Sequence, residues 1–215
     1  MRGMIILRAG LAGGGILAAA ACGPREPVAR EAFAGTPLDG HLTLPAHVLP
    51  DMNGEPYDLA GEGGGRLTLL FIGYTYCPDI CPVHLANLGA VLRDFPLEVA
   101  PEVRTVFVTA DPVRDTPERL REWLGALHRD FVGLRGTREQ VNALEAELDL
   151  PLSVVDPGTS PETYFVGHAG QVLVFDREGR ARMAYPWGIR QRDWQRDLPR
   201  LVRGEWPEPP PAEAD

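Results

Sequence analysis

The run Leu67-Thr-Leu-Leu-Phe-Ile72 carries no charged residue and leads through four residues into Cys77, after which the periodicity of the chain changes. A continuous apolar run of this length is a strand buried on both faces, so it demands cover on both sides. Beyond Cys81-Pro82, the residues Leu85, Leu88, Val91, Leu92 and Phe95 recur at helical spacing until Pro96 stops them. Val103 to Thr109 is a second, β-branched run and a second buried strand. Thr116-Pro117-Glu118 then opens a helix, with a hydroxyl cap, a proline at the first helical position and an acid in the first turn, and that helix extends to about His128. Strand, helix, strand, helix in this order requires parallel strands joined by right-handed crossovers.

The remainder is compatible with that frame. Phe131 to Leu134 reads as a short strand, and Thr137 caps a helix to Leu148 whose apolar side carries Val141, Leu144 and Leu148. Val172 to Phe175 and Arg182 to Tyr185 flank Asp176-Arg-Glu-Gly179, a hairpin in which Gly179 supplies the positive φ of the turn. Ile189 to Val202 is a closing amphipathic helix, and Leu42 to Leu59 forms a short β ribbon ahead of the first buried strand. The predicted fold is α/β and thioredoxin-like, a central mixed sheet with flanking helices.

With 44% hydrophobic and 24% charged residues, close to average globular usage, the chain is not wholly disordered. No repeat is visible, which excludes a solenoid. A net charge of −9 argues against a nucleic-acid partner. All 21 basic residues are Arg, so Schiff-base and lysine general-base chemistry are excluded.

Met1 to Arg8 holds two Arg and no acid, and Ala9 to Ala21 is small, uncharged and apolar. That stretch is too short for a hydrocarbon core of about 30 Å and fits the apolar region of a secretory signal. Ala19-Ala20-Ala21 followed by Cys22 and Gly23 resembles the bacterial lipoprotein cleavage box, with Ala19 in place of the usual Leu. The resemblance implies lipidation of Cys22 and a domain anchored to the outer face of the bacterial cytoplasmic membrane. Ordinary cleavage after Ala21, leaving a free Cys22, is the alternative. Removing residues 1–21 takes the net charge from −9 to −11. The expected layout is a signal peptide at 1–21, a flexible tether at 22–41, the folded domain at 42–206 and a disordered acidic, Pro-rich tail at 207–215.

Cys77 and Cys81 carry the chemistry. Thiols at a strand-to-helix junction lie where backbone N–H groups and the helix dipole stabilise anions, and a thiolate is both the nucleophile of disulfide exchange and a soft metal ligand. A static disulfide would close a loop of three residues and stabilise little. His168 and His84 are the candidate third donors, the latter one helical turn beyond Cys81. His41, His47 and His128 fall in the N-terminal ribbon or at a helix end and read as solvated or as capping groups. Asp111 emerges at the sheet edge that carries Cys77, where it would tune thiol pKa or contact a partner; Asp115 reads as a helix cap beside Thr116.

Three blocks resemble the Sco/SenC family of copper-delivery proteins: Phe71-Ile-Gly-Tyr-Thr before Cys77-x3-Cys81-Pro82; Val106-Phe-Val-Thr-Ala-Asp111-Pro-Val-Arg-Asp115-Thr-Pro-Glu-Arg-Leu120; and His168 ahead of an apolar strand ending at Asp176 and Gly179. Membership implies a copper site of Cys77, Cys81 and His168, and assembly of the binuclear copper centre of cytochrome c oxidase by copper transfer, by reduction of the target cysteines, or both. It implies as partners the copper-centre subunit of the oxidase, a thiol reductant or another copper chaperone, and the membrane through a lipid anchor. This is mainly a metallochaperone's activity, with thiol-disulfide reductase activity as a second capacity. Where the family carries Asp-His-Ser around the ligand, this chain has Gly167-His168-Ala169, which removes a carboxylate that would orient the imidazole.

From the residues alone, two thiolates and an imidazole suit Cu(I), and Cu(II) when a further ligand or water joins. Two competing readings stand beside copper delivery. One is a membrane-tethered thiol-disulfide oxidoreductase without metal, against which the extra residue between the cysteines counts. The other is a peroxiredoxin-like peroxidase, which wants a Thr three residues before its reactive Cys, whereas Thr75 is two before Cys77.

Overall fold

The computed structural model describes residues 32–96, 99–158 and 163–209. Along the chain these form β1 (Thr36–Pro37), β2 (Val48–Pro50), β3 (Pro56–Asp58), α1 (Leu59–Gly63), β4 (Leu67–Gly73), α2 (Ile80–Asp94) and, after a short 3-10 turn at Ala100–Glu102, β5 (Val103–Thr109) and α3 (Pro117–Leu127). There follow β6 (Val132–Leu134), α4 (Arg138–Glu147), β7 (Val154–Asp156), β8 (Phe165–Gly167), β9 (Val172–Phe175), β10 (Ala181–Tyr185) and α5 (Gln191–Val202). Six strands make one mixed sheet in the order β1-β10-β9-β4-β5-β6, in which β4, β5 and β6 run parallel and β9, β10 and β1 add antiparallel pairs. All seven residues of β4 are buried, as a central strand covered on both faces requires.

Helix starts follow the local chemistry. The Thr116 hydroxyl accepts from the Arg119 N–H with Pro117 at the first helical position, and Thr137 with Gln140 forms a reciprocal capping box. Gly179 takes φ +76° in the β9–β10 turn. Helix α2 begins at Ile80, earlier than the periodicity suggests, so Cys81 lies in its first turn while Cys77 stays in the preceding loop. Pro82 is tolerated there because first-turn N–H groups have no intrahelical partner.

The domain does not begin at Leu42. Thr36–Pro37 pairs with Met183 and Ala184, the Ala34 N–H donates to Asp197 Oδ2 at 2.8 Å, and the Phe33 ring lies 3.7 Å under the Arg200 guanidinium. Residues 33–41, expected as tether, thus include an edge strand. Small residues without apolar period give no strand signal of their own; the open edge of β10 imposes it. At the other end Trp206 packs beside Arg182, and Glu208 and Pro209 are exposed. The expected signal peptide at 1–21 and Cys22 lie outside the described residues. Among the described residues no helix is long and apolar enough to cross a membrane.

Candidate metal centre

Three donors from distant parts of the chain meet at the carboxyl end of β4. Cys77 Sγ, Cys81 Sγ and a ring nitrogen of His168 all lie within 4.8 Å of one another, and Cys81 Sγ is 3.4 Å from His168 Nε2. Both cysteines are free thiols. Cys81 is fully buried, whereas Cys77 keeps 9% of its surface. The burial of Cys81 depends on Gly73: a β-carbon there would stand 2.6 Å from Cys81 Sγ and 3.1 Å from the Phe107 ring, so only glycine leaves room for the sulfur against the strand.

His168 follows directly after β8. Its Nδ1 lies 2.9 Å from the Ala169 carbonyl, which can only accept, so Nδ1 carries the proton and Nε2 faces the sulfurs. The backbone thus supplies the orienting contact that the Gly167-His168-Ala169 sequence lacks as a side chain. The rings of Phe71 and Tyr74 meet the imidazole edge-on at 5.9 and 5.7 Å and limit its rotation.

The two thiols are electrostatically unequal. A hydrogen bond from the Cys81 thiol is the main cause that holds the Cys77 pKa down to about 3, against the opposing effect of burial, with help from His168 and the backbone N–H groups of Cys81 and Asp79. Burial, and then the neighbouring Cys77, push the Cys81 thiol far above its ordinary range. For His168 burial disfavours the imidazolium, but contact with Cys77 outweighs it and the pKa is raised. In the reduced, metal-free protein Cys77 is therefore the thiolate and Cys81 the protonated partner. Iodoacetamide should alkylate Cys77 at a rate nearly constant from pH 5 to 8, where an ordinary thiol would speed up by ~10³. Peptide mapping of the label checks this, and a steep rise over that range would contradict it.

The sequence expectation at one of the two carboxylates, Asp115, changes. Asp111 does reach this sheet edge, but Arg114 Nε, at 2.5 Å, and the Tyr164 hydroxyl, at 2.7 Å, occupy its carboxylate. Asp115 is not a helix cap, since Thr116 fills that role. It is fully buried and accepts from the Thr75 N–H at 3.0 Å, the Thr75 hydroxyl at 2.6 Å and the Thr109 hydroxyl at 2.6 Å. These bonds tie the cysteine loop to β5, and Asp115 is the carboxylate whose charge helps raise Cys81. Spacing cannot reveal this, because Thr75 lies forty residues from its acceptor.

His84, the rival donor, stands outside the cluster. It is buried on α2 against Phe71, ring centroids 5.5 Å apart, and burial lowers its pKa. His41 is exposed, His47 pairs with Glu147 rather than standing free in solvent, and His128 follows α3.

The SCO1/SenC family model matches residues 39–203. A Stutzerimonas stutzeri protein named for copper binding is 34% identical over 169 residues, 78% of this chain and 81% of its own length. The mitochondrial protein SCO2 of Saccharomyces cerevisiae is 29% identical over 156 residues, 73% of this chain but only half of the yeast protein. Among solved structures, apo Sco1 of Thermus thermophilus superposes with a TM-score of 0.71 at 29% identity, covering 81% of this chain and 99% of that one. Copper-bound ScoI of Bradyrhizobium japonicum gives 0.64 at 27% identity, covering 79% and 99%.

Proposed function

The chain belongs to the SCO1/SenC family, and from that premise we propose that it binds one copper ion through Cys77, Cys81 and His168 and serves assembly of the binuclear copper centre of cytochrome c oxidase. The observation that carries the reading is the convergence of two sulfurs and an oriented imidazole nitrogen within 4.8 Å. Three soft or borderline donors fit Cu(I), and a further ligand or water would extend the set for Cu(II). Copper is cargo here. Release to the oxidase's copper-centre subunit is ligand exchange, with target thiolates replacing these donors one at a time.

The same thiols support reduction of a target disulfide. The Cys77 thiolate attacks one target sulfur and expels the other as a thiolate, leaving a mixed disulfide. Cys81, on losing its proton, attacks Cys77 Sγ, forms the Cys77–Cys81 disulfide and releases the second target thiolate. Two electrons pass to the target, and a thiol reductant must restore the pair. A membrane-tethered oxidoreductase without metal is the second reading, favoured by the depressed Cys77 pKa.

Lipidation of Cys22 would anchor the amino terminus at the outer face of the bacterial cytoplasmic membrane. Ten residues lie between Cys22 and Phe33, so eleven residue steps of chain reach at most about 40 Å.

Anaerobic copper titration tests the main reading. The reduced protein is expected to bind one equivalent, and the Cys77–Cys81 disulfide form none, because a disulfide sulfur is no longer a thiolate donor. Cys77→Ser should also lose the tight equivalent. Equal binding by oxidised and reduced protein would sink the proposed site and leave the metal-free reading.

A further inference from the structure

His168 reaches the thiols on a segment with little packing of its own. Strands β7 and β8 form a two-stranded ribbon outside the six-stranded sheet. Of their six residues only Val166 is buried, while Val154 is 63% and Phe165 55% exposed. A two-stranded ribbon is marginal unless something else holds it. Tyr164 immediately precedes β8 and His168 immediately follows it, so the two are joined by an extended lever of about 13 Å.

Tyr164 is held by Arg114. The Arg114 guanidinium lies 3.6 Å over the Tyr164 ring, and its Nη1 donates to the Tyr164 carbonyl at 3.0 Å. Asp111 completes the clamp, accepting from Arg114 Nε and from the Tyr164 hydroxyl. The same guanidinium lies 5.6 Å from the Tyr74 ring and 5.0 Å from the Tyr76 ring, on the cysteine loop. One cation therefore touches both halves of the site, the loop that carries Cys77 and the ribbon that carries His168. The Arg114–Asp111 pair is nearly dry, with side chains 14% and 0% exposed. Removing water from such a pair costs free energy, and its best-attested use is to fix one arrangement against alternatives.

We propose that Arg114 is a positioning residue that, through Tyr164, holds the β7–β8 ribbon so that His168 stands over the two thiols. The proposal rests on His168 being a copper ligand, as read above, but its structural half stands without copper. It predicts that Arg114 acts on metal affinity mainly through His168, its looser stacking on the Tyr74 and Tyr76 rings of the cysteine loop contributing little.

The test uses wild type, Arg114→Leu, Tyr164→Phe, His168→Ala and the Arg114→Leu/His168→Ala double variant, with two measurements. Amide hydrogen exchange on the metal-free protein should show protection at Phe165–Gly167 falling about tenfold in Arg114→Leu, with that of β4 unchanged. Cu(I) competition against a chelator should show affinity falling about tenfold in Arg114→Leu, with no further loss when the change is added to His168→Ala. Tyr164→Phe, which removes only the hydroxyl contact with Asp111, should act in the same direction and less. Unchanged protection at β8, a matching loss of protection in β4, or the same affinity loss with and without His168 would each overturn the proposal. If His168→Ala binds copper as wild type does, the ligand assignment fails, and the exchange data alone decide whether Arg114 holds the ribbon.

Discussion

His168→Ala should weaken Cu(I) binding by about a hundredfold or more while slowing thiol–disulfide exchange only modestly. Loss of a second-sphere partner alone typically costs 10–100-fold in metal affinity, and here a donor atom itself is removed. Exchange needs an attacking thiolate, a leaving thiolate and access, and the largest support of the Cys77 thiolate is the Cys81 thiol, not His168. His84→Ala is the control, because His84 is buried on the same helix as Cys81 yet outside the donor cluster. It should leave copper affinity near wild type. Competition titration with a Cu(I) chelator, run beside a disulfide-reductase assay, reads all three proteins. Copper loss in His84→Ala with none in His168→Ala would reverse the assignment. No copper effect in either, with fast exchange in both, would favour the metal-free oxidoreductase.

Asp115→Ala should be the most damaging single change to stability near the site. It strands the Thr75 N–H and the hydroxyls of Thr75 and Thr109, all three buried and all bonded to this one carboxylate. Each stranded group costs about 1–3 kcal/mol, so a loss of about 4 kcal/mol is expected, or roughly 10 °C in Tm for a domain of this size. Arg119 Nε, which donates to the Thr75 hydroxyl at 3.0 Å, cannot compensate, because it is a donor and not an acceptor. Asp115→Asn should lose less, since one acceptor oxygen remains. Thermal unfolding of the reduced, metal-free protein measures this, and a fall of less than 2 °C in the Ala variant would show that the network bears little on stability.

Much of the fold was legible because its signals are local. The apolar run of β4, the helical period after Cys81, the Thr116 and Thr137 caps and the Gly179 turn each depend on residues a few positions apart. The cysteine pair was legible for the same reason, being two thiols within one turn of chain at a strand end. What escaped was set by distant partners. The edge strand Thr36–Pro37 exists because β10 offers it a ladder, and Gly73 matters only because Cys81 folds back against it. Arg114 stood in the sequence only as one residue of the Val106–Leu120 block, and its role shows only where Tyr74, Tyr76 and Tyr164 gather around it.

By itself the sequence determined an α/β domain with a parallel core, a thiol pair at the carboxyl end of its first buried strand, and a copper-delivery family resemblance resting on those motifs. Tertiary structure brought His168, which that resemblance already named, against the thiols, and it decided which carboxylate bears on Cys81 and which thiol is the anion. The reason is one of range. Periodicity, capping and turn chemistry act over a few residues and are written in spacing. Ligand convergence, burial and pKa depend on groups brought together across the fold, here eighty-seven residues apart for Cys81 and His168, and only the packed chain sets those distances.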